Sequence, residues 1–324
     1  MLSQTTCWLV LALLAATACQ AQKKVLKRAD MLYQASHFAE AAALYEQALE
    51  EKPTLGLMTR LATCYRMTNR YDRAAQLLAQ VVQHERARPA TWLDYAETLM
   101  YQGRYDEALT WARRYLEQAP DDRRARLIEQ ACLAVDQISP LFPEMKLVPF
   151  PWNSPADELS PVFFDGGIVF TSDRSPGMRL LKEKSGWTGR DYLQLWFAER
   201  QDDTTFAEPR LYDPRLNELN HHCGMASFTA DSSTVYFTRT GTIPSRKGEY
   251  HLQLYTARRA PNGKWKQPEA LPFCSPEYNY MHPAIAPDGQ TLYFVSDKGR
   301  GKGGTDIWMS TRTAEGWSRP TPLE

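Results

Sequence analysis

The stretch Pro283 to Leu323, PAIAPDGQTLYFVSDKGRGKGGTDIWMSTRTAEGWSRPTPL, holds one whole unit of a repeat that occurs twice upstream. Ala284 to Ala286 reads as a short strand, and Pro287-Asp288-Gly289 as a turn in which Pro sets φ and Gly is free to take φ > 0. Thr291 to Ser296 reads as a second strand, with Leu292, Phe294 and Ser296 on one face and Tyr293 and Val295 on the other. That pattern predicts a sheet buried on both sides. A glycine-rich loop, Gly299 to Gly304, leads to a third strand at Asp306 to Thr311. A fourth is expected at Trp317 to Arg319, ended by Pro320 and Pro322. Four antiparallel strands of this size do not bury two faces alone, so copies are expected to stack, with Trp308 and Trp317 awaiting a neighbour.

The opening of the unit recurs as SPVFFDGGIVFTSDR from Ser160, MASFTADSSTVYFTR from Met225 and HPAIAPDGQTLYFVSD from His282. Third strands follow from Leu195, Leu254 and Ile307, and fourth strands are expected to end near Pro209, Pro268 and Pro320. Insertions at Ser175 to Asp191 and Gly241 to Glu249 account for the unequal spacing. Three blades of a β-propeller, residues 158–324, are predicted, fewer than the roughly four to eight of a closed ring. Lys146 to Val148 before PFPWNSPADELSP matches Ala270-Leu271 before PFCSPEYNYMHP, as a fourth strand without its own first three. The expectation is an incomplete propeller, with the chain truncated at Glu324.

Upstream the period changes to 33 to 34 residues: Phe38, Tyr71 and Tyr105 recur, as do Ala41, Ala74 and Ala108, and Ala29, Ala62 and Ala96. Small residues at that interval let paired helices approach closely, with Leu32, Tyr65 and Leu99 filling the groove beside them. This predicts an αα-hairpin repeated three times. Asp121 to Gln137 reads as a capping helix with Leu127, Cys132 and Val135 on its apolar side and Asp121 and Asp122 at its positive end. HFAEAAALYEQAL, RYDRAAQLLAQVV and RYDEALTWARRYL, with Pro53 and Pro120 closing the first and third units, resemble tetratricopeptide repeats. Such an array implies a concave surface for a peptide or a neighbouring domain, or a rigid spacer. Pro140, Pro143, Pro149, Pro151 and Pro155 then exclude helix, so the segments are a helical domain at 22–138, a proline-rich join at 139–157 and the blades.

Lys plus Arg and Asp plus Glu both number 38, so no excess charge favours nucleic acid or an anionic membrane, and protein partners are expected. Trp8 to Ala16 is an apolar run far short of the roughly 20 residues of a membrane span and reads as the core of a secretory signal, residues 1–21. Cys19, after Leu-Ala-Ala-Thr-Ala, resembles a bacterial lipoprotein site, where it would be acylated; the alternative is an ordinary cut near Gln22. An exported protein of the periplasm follows, anchored to the outer membrane if Cys19 is lipidated. Cys64 and Cys132 sit at apolar helical positions and are expected to pack as small hydrophobes, leaving Cys223 and Cys274 as a candidate disulfide pair.

APDGQTLYFVSDKGRGKGGTDIWMS with GWSRP resembles the WD40-like repeats often called PD40, as joined to tetratricopeptide repeats in cell-envelope proteins of Bacteroidetes, nearest the PorE-type lipoproteins of the type IX secretion system. The likeness departs where Gly189 to Trp196 replaces the glycine loop and where Ser232 and Ser233 stand for Asp-Gly. It implies a scaffold whose helical repeats and propeller each bind envelope proteins, with peptidoglycan reached only through an OmpA-like domain absent from this chain. PD40 propellers also precede prolyl-oligopeptidase-like hydrolases, so the alternative is a ligand-sensing or accessory propeller.

Candidate chemistry is sparse. Asp297 and Asp306 bracket the glycine loop, but Lys298, Arg300 and Lys302 make it poor company for a metal. His221, His222 and Cys223 before one blade and His282 before the next are of the types that hold zinc, yet no second ligand follows at a binding spacing on either element. Neither a Gly-x-Ser-x-Gly elbow nor a carboxylate pair with a His partner is present. The sequence is therefore read as non-enzymatic, with no catalytic, cofactor or metal residue assigned.

Overall fold

A computed structural model describes residues 20, 22–138, 148–175, 184–218, 220–299, 301–323. Cys19, the signal-like run, residues 139–147 of the proline-rich join with Lys146 and Leu147 of the strand expected there, residues 176–183 of the first insertion and Arg300 lie outside them. The chain divides into a helical unit, Met1–Leu147 with Ser185–Gly189, and a sheet unit, Val148–Lys184 with Arg190–Glu324.

Seven helices form the helical unit among the described residues: α1 (22–34), α2 (Phe38–Glu51), α3 (Leu55–Met67), α4 (Tyr71–Val82), α5 (Pro89–Tyr101), α6 (Tyr105–Leu116) and α7 (Arg123–Ile138). The recurrent alanines Ala29, Ala41, Ala62, Ala74, Ala96 and Ala108 are fully buried, which is the close approach that their period requires. Thr54 caps α3 by accepting Leu57 N–H at 3.3 Å, and Pro89 opens α5 where its missing N–H is harmless. Cys64 and Cys132 pack in the two helical cores. Capping of α7 falls to Asp122, whose Oδ1 accepts Ala125 N–H at 3.0 Å. Its buried stripe is Ala125, Ile128 and Cys132, and Leu127, expected inside, is 54% exposed because it stands one residue off that i, i+3, i+7 line. Ser185–Gly189 belong to this unit, where the Trp187 ring lies edge-on to Phe38 and its Nε1–H donates to Met67 O at 2.8 Å.

Among the described residues the sheet unit holds three antiparallel sheets. The first runs β1 (Glu158–Phe164), β2 (Gly167–Ser172), β3 (Gln194–Glu199), β4 (Arg210–Leu211); the second β5 (Cys223–Phe228), β6 (Thr234–Thr240), β7 (Leu252–Arg258), β8 (Glu269–Ala270). The third is β9 (Tyr280–Ile285), β10 (Thr291–Ser296), β11 (Asp306–Thr313) and β12 (Gly316–Trp317), with β13 (Thr321–Pro322) also paired to β11. The sheets pack in chain order. Val169, Leu195 and Phe197 of the first meet Val235 and Phe237 of the second, and Tyr236 and Leu254 of the second meet Leu292, Phe294 and Trp308 of the third.

Three expectations need correction. Trp308 is only 2% exposed, and Trp317 lies edge-on to Tyr236, because both face the second sheet. The uncovered side of the third sheet carries instead Tyr293, 37% exposed, and Ile307, 54% exposed, so β10 is buried on one face and not on two. The equivalent Tyr236 and Leu254 of the second sheet are fully buried. Finally, Pro209, Pro268 and Pro320 do not end the fourth strands: β4 and β8 begin immediately after the first two and β13 immediately after the third. A residue without an N–H is tolerated at the entry to an edge strand, and here it introduces pairing.

Candidate functional site

On the helical unit, carboxylates and guanidinium groups connect each odd-numbered helix to the next. Asp30 of α1 pairs with Arg60 of α3; Arg66 of α3 pairs with Asp94 at 2.6 Å and with Glu97, both of α5; and Arg124 of α7 reaches the same Asp94, at 3.2 Å, and Glu97. Asp94 and Glu97 stand three residues apart on one face of α5 and so present both carboxylates between two cations. Burial works against the charge on Arg124, yet Glu97 and Asp94 outweigh it and raise its pKa. Tyr45, fully buried, donates its OH to Asp30 at 2.6 Å; burial first, then the Asp30 bond, pushes that phenol upward. The result is a polar face of α1, α3, α5 and α7 on which acidic and basic side chains pair across helices.

In the sheet unit the surfaces between sheets contain a repeated polar device. Ser160, Met225 and His282, one in each first strand, are non-glycine residues with φ of 52°, 51° and 53°. At each, the strand register shifts, as a bulge does. The bulge turns an N–H toward the preceding sheet: Met225 N–H donates to Thr171 Oγ1 at 2.8 Å, and His282 N–H to Thr238 Oγ1 at 3.0 Å. Gln194 and Gln253 at the heads of the third strands make a second repeat. Gln194 Nε2 donates to Glu218 O and His221 O, and Gln253 Nε2 to Ser275 O and Tyr278 O, clamping the loop that enters the next sheet.

The histidines and cysteine singled out in the sequence serve this framework. Cys223 is fully buried with its N–H on Leu193 O at 2.7 Å, and burial pushes its thiol up to about 12. His222 accepts Leu193 N–H at Nδ1, 3.1 Å, lies edge-on to Tyr192, and is pulled down to about 4 by burial and then by His221. His221 faces Glu218 at 3.5 Å. His282 is exposed at its side chain and contributes its backbone. Among the described residues no group of three His, Cys, Asp or Glu side chains is placed to hold a metal ion. Cys64, Cys132, Cys223 and Cys274 are all free thiols, so the pairing of Cys223 with Cys274 is not made. Asp297 and Asp306 each secure their own surroundings: Asp297 accepts Asn279 N–H and Nδ2–H, both at 2.7 Å, and Asp306 accepts Lys302 N–H and Gly303 N–H.

The fold and these surfaces define a chain that joins a helical-repeat array to a set of serially packed antiparallel sheets. A family model described as tetratricopeptide repeat matches residues 32–86 and 65–132, so α1 to α7 carry tetratricopeptide repeats. No curated protein matches the chain. Among solved structures, the Arabidopsis OM64 TPR domain is 16% identical and covers 35% of this chain and 94% of its own, with a TM-score of 0.32. The Yersinia enterocolitica type III secretion translocator chaperone SycD is 16% identical, covering 39% and 88%, at 0.30. A puromycin-hydrolysing peptidase of Mycobacterium tuberculosis is 12% identical over 54% of this chain and 32% of its own, at 0.24. None of these scores carries an argument about activity. No described helix is long and apolar enough to cross a membrane.

Proposed function

We infer that this protein is a non-enzymatic, exported scaffold of the bacterial cell envelope, in which the tetratricopeptide repeats take one protein partner and the sheets, as blades of a β-propeller, take another. The carrying observation is the tetratricopeptide match over residues 32–132, since arrays of this kind mediate protein–protein interaction. The polar odd-helix face, organised by Arg66, Asp94, Glu97 and Arg124, supports it as a preformed surface whose groups are already aligned. The secretory-type run at Trp8 to Ala16 and the lipoprotein-type Cys19 favour the periplasm and an outer-membrane anchor. The PD40 resemblance favours type IX secretion or a related assembly as the process. Purification of the tagged protein from crosslinked envelopes tests this: outer-membrane or secretion components are expected with it, and recovery of none contradicts the assignment.

A further inference from the structure

A cleft on the helical unit has a different electrostatic character from the odd-helix face. It lies between the start of α3, the end of α4 and the loop into α5, with a volume of about 340 Å³, and its walls include Leu55, Thr59, Arg60, Arg86, Arg88 and Thr91. Among the described residues that line it, three are arginines and none is Asp or Glu. Arg60 is paired with Asp30. Arg86 and Arg88 are exposed, and among the described residues neither has a carboxylate within ion-pair distance. Glu85, the loop's own carboxylate, does not line the cleft. The loop is shaped by Arg86 N–H donating to His84 Nδ1 at 3.1 Å and by Ala87 N–H donating to His84 O at 2.8 Å, which places the two arginines around Ala87.

The neighbouring cleft between α2, α3 and α4 is a useful contrast. There Arg73 meets Glu46 at 3.6 Å, and Tyr65 donates to the same carboxylate, so the cation is answered from within the protein. In the Arg86–Arg88 cleft it is not.

We propose that this cleft seats an acidic peptide segment of a partner protein, two carboxylates being taken by Arg86 and Arg88 and the intervening chain resting against Leu55 and Ala87. The proposal rests on the protein-interaction reading of the helical array and names the chemistry of one partner. Guanidinium groups fork onto carboxylates through paired N–H donors, which gives the pairing geometric specificity. An apolar strip beside the cations fits a peptide better than a bare inorganic anion, and a chain with no net charge lacks the field that draws nucleic acid.

The test uses the full chain and a short fluorescein-labelled peptide of Asp and Glu, read by anisotropy against the same peptide in Asn and Gln. The acidic peptide is expected to bind and the neutral one not. Arg86→Glu with Arg88→Glu should weaken binding about tenfold or more, whereas Lys266→Glu on the sheet unit should leave it unchanged. Raising salt from about 0.05 M to about 0.5 M should weaken it further. No binding, binding indifferent to the double reversal, or displacement by inorganic phosphate at equal affinity would overturn the proposal. Envelope crosslinking repeated with the double variant separates the two readings: partners retained there, with no peptide binding in vitro, would leave the scaffold standing and remove only this site. Circular dichroism checks that the double variant keeps its helices.

Discussion

Thr238→Val isolates the hydrogen bond that fastens the third sheet to the second. Thr238 is nearly buried, and its Oγ1 accepts His282 N–H at 3.0 Å, at a residue whose φ of 53° exists only because the strand bulges there. Valine keeps the shape but supplies a methyl group in place of the acceptor, leaving the N–H without its partner. An unsatisfied buried donor costs about 1 to 3 kcal/mol, equivalent to an opening equilibrium shifted about 5- to 150-fold. Hydrogen exchange read by mass spectrometry should show that acceleration in β9 and β10, with α1 to α7 unchanged. Thr171→Val, which removes the acceptor of Met225 N–H, should do the same to β5. Val295→Thr, at the corresponding position of the third sheet, restores a hydroxyl with no following bulge to meet it among the described residues and should change little. Exchange in Thr238→Val equal to that of the unaltered protein would refute the argument that this bond fixes the packing of the sheets.

Gly167→Ala places a Cβ onto Ala198 O and the Phe197 ring across the β2–β3 ladder; a loss of about 1 to 3 kcal/mol or more is expected, seen as a lowered urea midpoint for the sheet unit. Arg66→Met leaves Asp94 and Glu97 with Arg124 alone, and should lower the thermal midpoint of the helical unit by an amount reflecting about 1 to 3 kcal/mol. For His222, burial holds the folded pKa near 4, below its ordinary value near 6.5, so the folded state binds the proton less well than the unfolded chain. Its contribution is whole above about pH 6.5 and is lost as pH falls toward 4, by up to roughly 3 kcal/mol. His221 is the titratable neighbour that adds to this, and it faces Glu218 in turn. His222→Asn, which keeps an acceptor for Leu193 N–H, should flatten that acid-side slope in denaturation titrations across this range.

Much of the helical unit was legible because its constraint is steric and local: only a small residue fits where helices cross, so Ala29, Ala62 and Ala96 announce the period without further help. Strand order within each sheet was legible for the same reason, through turns such as Asp288-Gly289. The side on which a sheet meets its neighbour was not. Alternation in β10 and β11 separates Phe294 and Trp308 from Tyr293 and Ile307 but does not say which set is covered, since all four are apolar. The bulges escaped because Ser160, Met225 and His282 share no residue type, and the left-handed backbone at each is imposed by packing and not by glycine. Their one sequence trace is the recurrence of Thr171 and Thr238 at matching places. The arginine cleft left still less, because Arg60 joins Arg86 and Arg88 only after α3 and α4 fold back on one another.

Site-specific photocrosslinking from the helical unit tests the central claim most directly. With a photoreactive residue at Tyr101, an exposed position at the end of α5, irradiation of living cells should give a discrete adduct with a periplasmic or outer-membrane protein, lost when Arg66 and Arg124 are both replaced by glutamate. No envelope-protein adduct from Tyr101 or from other positions along the odd-helix face would contradict a scaffold that recruits its partner through the tetratricopeptide repeats.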